Sequence, residues 1–264
     1  MKRSLDNGML LAVAVVAASC NASTGGELIE FDAFAAGPEA ASGGEAYVFE
    51  SPRGYTVTLR RAVLHVGAVY LNKSVQTSVG ADTSCYLAGQ YVAEVPGGFD
   101  VDVLEPTLQP FPVQGFATTD RAKTAEIWLS GGDIDAETDP TVVASVEGEA
   151  TKDGETFPFD ATITISESRV IPSTDPSQPG VNPICKQRIV TPIAVDLKPT
   201  DGGSLVVRID PAGWFSNVEF DELELVDDDP PLYRFRDDSL DQPSRNLFNG
   251  LRANSGVYDV RWDE

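Results

Sequence analysis

The chain has 264 residues and a formal net charge of −22, from 41 acidic against 19 basic residues, so it is long enough to bury a substantial core as one domain. Its acidity argues against nucleic-acid partners, which need basic patches to displace counterions, and against electrostatic docking on anionic lipid. One histidine and three cysteines leave little material for nucleophilic, redox or transition-metal chemistry.

The first signal in chain order lies at the N-terminus. Lys2 and Arg3 precede an apolar run from Met9 to Val16 that is too short to span a bilayer. Ala17, Ala18 and Ser19 then form a small-residue cleavage site, completing the pattern of a secretory signal. Cys20 follows directly, as in a bacterial lipobox, so residues 1–19 are expected to be removed and Cys20 to be acylated. Each buried acyl CH₂ contributes about 0.8 kcal/mol, and two or more chains hold a protein stably to a membrane. Asn21, where retention in the inner membrane would favour aspartate, points to the outer membrane, facing the periplasm or the cell surface. Residues 20–26 read as a lipidated tether and 27–264 as one β-rich domain. The expected partners are the membrane, through this anchor, and an envelope protein. With Cys20 acylated, Cys85 and Cys185 are left to pair in an oxidising compartment. That bridge would close a loop worth about 4 to 5 kcal/mol in the chain-entropy account.

After "ELIEFDAFAAG" opens the folded part, strands are expected at 47–50, 55–59, 62–71, 125–130, 141–150, 157–166, 189–197, 204–209 and 257–262, separated by Gly, Pro, Asp and Asn. Phe157, Phe159, Ala161, Ile163 and Ile165 alternate with polar residues, the pattern of a half-buried strand. "KDGE" (152–155) supplies a hairpin turn before it. "AVLHVGAVYL" is apolar on both faces, which suits a covered central strand. One short helix is expected near the C-terminus, with Ser244 as N-cap and Leu247, Phe248 and Leu251 on its buried face. The fold class is therefore all-β, an antiparallel sandwich or barrel-like arrangement with one short C-terminal helix.

Few residues offer chemistry. His65, in mid-strand, is a packed structural residue, a general base or a metal ligand. No Gly-x-Ser-x-Gly elbow accompanies it, which argues against a serine hydrolase. Asp133, Asp135, Glu137 and Asp139 alternate in "GGDIDAETDP", a spacing that would suit calcium if their oxygens converge. The EF-hand pattern fails there, because Thr138 and Ala144 stand where glycine and glutamate are needed. Asp227, Asp228 and Asp229 form a second acidic run, and either run also reads as a solvated loop. Of the tryptophans that could stack a sugar, Trp214 is expected to be exposed at a turn and Trp262 to lie in the core beside Tyr258 and Val260.

The stretches "GYTVTLRRAVLHVGAVYLN" (54–72), "RIDPAGWFSNVEFDEL" (208–223) and "NLFNGLRANSGVYDVRW" (246–262) together resemble proteobacterial, particularly myxobacterial, outer-membrane lipoproteins of unassigned function. More distantly they resemble MbnP-like periplasmic proteins associated with copper. That likeness implies a copper site built on histidines and a modified tryptophan. His65 is the only histidine and both methionines, Met1 and Met9, lie in the signal, so the chain departs from such a ligand set. The expectation is a non-enzymatic, lipid-anchored envelope protein with a binding or structural role and no cofactor. Metal binding, of calcium or copper, is the alternative, followed by a carboxylate-based glycosidase.

Overall fold

A computed structural model describes residues 26–74, 89–130, 139–165, 188–238 and 240–264. Strand formation follows the alternation of apolar side chains. In β11 (Glu155–Ile165) Phe157, Phe159, Ala161, Ile163 and Ile165 are all buried, while Thr162 on the other face is exposed. The hairpin joining it to β10 (Asp139–Lys152) turns at Asp153 and Gly154, both at positive φ (53° and 87°), the conformation whose twist matches flanking strands.

Two sheets enclose one contiguous core. The seven-stranded sheet runs β14 (Glu224–Asp228), β15 (Pro231–Arg234), β11, β10, β3 (Thr56–Val66) and β2 (Tyr47–Glu50), with β6 (Phe99–Asp102) also on β3. The nine-stranded sheet runs β12 (Ile189–Leu197), β9 (Ala122–Trp128), β4 (Ala68–Asn72), β5 (Tyr91–Val95), β8 (Gly115–Thr118), β1 (Leu28–Ala36), β13 (Ser204–Ile209) and β16 (Tyr258–Asp263). A short strand, β7 (Gln109–Pro110), also pairs with β1. Pairing is antiparallel except at β1–β13 and β11–β15. The fold is thus all-β with a sandwich core and a short helix, as expected, with two parallel pairings added.

The apolar run 62–71 is not one central strand. It divides at Gly67, leaving β3 in one sheet and β4 in the other. Gly67 N–H donates to the Trp128 carbonyl at 2.7 Å, and a β-carbon at this position would overlap the Ser130 carbonyl. The return segment crosses at the same corner: Gly98, between β5 and β6, has its backbone against Val66 and Gly67. Apolarity on both faces therefore reflects a strand that changes sheets.

The end of the sandwich is closed by 3₁₀ turns at Pro211–Phe215 and Phe220–Glu222 and by helix α1 (Gln242–Leu251). Phe215 and Phe220 stack at 5.7 Å and meet Phe159 and Phe235 edge-on or tilted. All four rings are buried, each contributing about 2 to 3 kcal/mol by leaving water. α1 buries Leu247, Phe248 and Leu251, but its N-cap is Asp241, whose carboxylate accepts from Ser244 N–H at 2.7 Å. Ser244 lies inside the first turn and its hydroxyl accepts from Arg236 N–H. Pro243 moves the helix start back, because a proline suits the first turn and aspartate caps as well as serine. No helix among the described residues is long and apolar enough to cross a membrane.

Candidate functional site

Cross-strand register creates a row that no single segment contains. On the outer face of the nine-stranded sheet Glu30 of β1 lies opposite Phe116 of β8, and Phe116 lies opposite Glu94 of β5. Glu94 in turn faces Tyr70 of β4, which faces Glu126 of β9. Carboxylate and aromatic positions thus alternate across five neighbouring strands. The carboxylates sit two strands apart, about 10 Å by ordinary strand spacing.

Two further rings frame the row. Tyr91 lies 5.2 Å and Trp128 4.9 Å from Tyr70, centroid to centroid. Glu126 is fully buried and accepts from Asn72 Nδ2 at 2.7 Å, with the Trp128 indole N–H at 3.4 Å from its other oxygen. Asn72 Oδ1 is itself buried and takes no hydrogen bond. Burial, followed by the charges of Glu94 and Glu126, raises the Tyr70 phenol above its ordinary pKa. This end of the row is closed and rich in acceptors.

The other end is open. Tyr91 and Phe116 are 43% and 41% exposed, and Leu28, at the start of β1, is 72% exposed. With Glu94 and Thr118 they line a shallow cleft of about 160 Å³ whose floor is the backbone around Ala93 and Ala117. Those two alanines are paired across the strands and turn their side chains to the core. Exposed aromatic rings beside carboxylates attract organic cations through the ring quadrupole and the carboxylate charge together.

His65 occupies the outer face of the other sheet, paired with Asp100 of β6. Its Nδ1 is 2.7 Å from Asp100 Oδ1, while Nε2 is buried without a hydrogen-bond partner. Asp133, Asp135 and Glu137 lie outside the described residues, as do Cys20, Cys85 and Cys185. Asp139 opens β10 opposite Ile165. Asp227 and Asp228 belong to exposed β14, and Asp227 Oδ1 accepts from Asp229 N–H at 3.2 Å, an internal turn contact. Among the described residues no three His, Cys, Asp or Glu side chains are placed to hold a metal ion.

The tryptophans separate clearly. Trp214, expected at the surface, is fully buried, because the 3₁₀ turn capped by Asp210 folds it beneath α1, where Gly250 leaves room for its backbone. Trp262 packs against the core as expected, 5.0 Å from Phe31 and edge-on. Only Trp128 belongs to the row. Glu30, Tyr70, Glu94 and Phe116, the other members of the row, come from four separate strands, and nothing in their spacing along the chain brings them together.

No protein family and no curated protein matches the sequence. Among solved structures, MbnP from Methylosinus trichosporium is similar to 89% of this chain over 98% of its own length, at 9% identity and a TM-score of 0.38.

Proposed function

We propose that this chain is a lipid-anchored envelope protein, of the outer-membrane lipoprotein type its sequence resembles, that holds a ligand without transforming it. The binding surface is the outer face of the nine-stranded sheet. The alternation of Glu30, Phe116, Glu94, Tyr70 and Glu126 carries this reading, since it combines apolar area with fixed charge at an open cleft. The N-terminal signal supports the anchor: Leu28 of the cleft lies only eight residues after Cys20, a reach of about 30 Å when extended. Cys85 and Cys185 would brace the exported domain as a disulfide.

A thermal-shift screen of the full chain against small-molecule panels tests the binding reading. A ligand that raises the Tm should be recovered chemically unchanged, and its shift should vanish when Tyr91 and Phe116 are both replaced by alanine. Consumption of the ligand, or a shift indifferent to those rings, contradicts it.

The His65 geometry favours metal binding as a second reading. A ligating imidazole characteristically sets one nitrogen on a carboxylate and leaves the other for the metal, as Nδ1 on Asp100 and the unpartnered Nε2 do here. Elemental analysis after copper loading should then show metal that His65→Ala loses. Loading that the variant retains would place any metal elsewhere.

A further inference from the structure

We propose that the cleft between Tyr91 and Phe116 is a site for an alkylammonium group, a refinement that rests on the binding reading of this face. At about 160 Å³ the cleft is smaller than the roughly 300–1,000 Å³ of pockets for drug-sized molecules, so it suits one compact head group. Its walls are aromatic and aliphatic: Tyr91, Phe116 and Leu28, with Tyr70 packed against Tyr91. Glu94, a neighbour of Phe116 in register, supplies a carboxylate at the cleft, and Glu30 flanks Phe116 on its other side.

That combination selects by charge. An alkylammonium presents a cation to the aromatic rings and methyl or methylene groups to Leu28, while Glu94 at the cleft balances its charge. An anion would meet repulsion from Glu30, Glu94 and a chain of net charge −22. A neutral sugar could stack on the rings but would draw nothing from the charge of the carboxylates. Soluble amines and the head groups of ammonium-bearing lipids share the required chemistry, and the expected anchor would hold the cleft close to a bilayer.

Calorimetric titration of the full chain with choline and with its neutral isostere, 3,3-dimethylbutan-1-ol, tests the assignment. Choline should bind saturably and the isostere at least about tenfold more weakly, because only the cation gains from rings and carboxylate. Phe116→Ala and Glu94→Gln should each weaken choline about tenfold, Phe116→Tyr should restore it, and Leu225→Ala on β14 should leave it unchanged. A second arm offers phosphatidylcholine and phosphatidylglycerol vesicles to a Cys20→Ser chain: capture by the former through Phe116 assigns a lipid head group, and none assigns a soluble amine. Absence of choline binding, or equal affinity for the isostere, overturns the proposal whatever the vesicles do. If another ligand's thermal shift still needs Tyr91 and Phe116, only the ammonium assignment falls. If no shift needs them, the face itself is not the binding surface.

Discussion

At the scale of single residues, one backbone position and two phenols carry most of the testable physics. Gly67 sits where β3 becomes β4, and the Ser130 carbonyl occupies the volume of its absent β-carbon. Gly67→Ala must therefore push two backbones apart, and urea denaturation should show a loss of about 3 kcal/mol with the m-value unchanged. Tyr55 is buried and donates to Asp221 Oδ1 at 2.6 Å, with Glu219 nearby. Tyr258 is buried and donates to the Leu251 carbonyl. Burial, reinforced at Tyr55 by the Asp221 hydrogen bond, pushes both phenols far above their ordinary pKa near 10. Because the folded state holds these protons more tightly, their contribution is fully present below about pH 10 and is lost as pH rises toward the folded values. Stability measured from pH 8 upward should thus fall once pH passes about 10, and Tyr55→Phe should flatten that fall while costing about 1 kcal/mol at neutral pH.

At the scale of elements, local chemistry explains both what the sequence discloses and what it hides. The strands expected at 47–50, 189–197 and 204–209 coincide with β2, β12 and β13, because alternation and flanking turn residues act within a few positions. The Asp153–Gly154 turn is equally local. No atom lies within 4 Å of a β-carbon built at Gly154, so Gly154→Ala tests φ alone and should cost about 1 to 2 kcal/mol. Gly154→Asn, which tolerates the left-handed region better, should cost less. Strands β6 and β8 escape detection because FDVD and GFAT carry aspartate and glycine, turn-type residues, where the equally short YVFE of β2 carries aromatic and β-branched ones. The switch at Gly67 is hidden for another reason: it depends on Ser130 and Gly98, which only the folded chain brings near. Register is also non-local, so the row from Glu30 to Glu126 could not be assembled from the residues of any one segment.

At the scale of the whole molecule, the sandwich separates two outer faces of different character. One carries His65 with Asp100, and the other carries the aromatic and acidic row with its open cleft at Leu28. Ligand binding on the second face requires no metal on the first. Hydrogen exchange, followed by mass spectrometry on the chain in native envelope fractions and again after purification, tests that assignment without naming the ligand in advance. Bound ligand should slow exchange in 91–95 and 115–118 in the envelope, and purification or the paired Tyr91→Ala and Phe116→Ala substitutions should remove that protection. Protection confined to 56–66 and 99–102, around His65, would contradict the account.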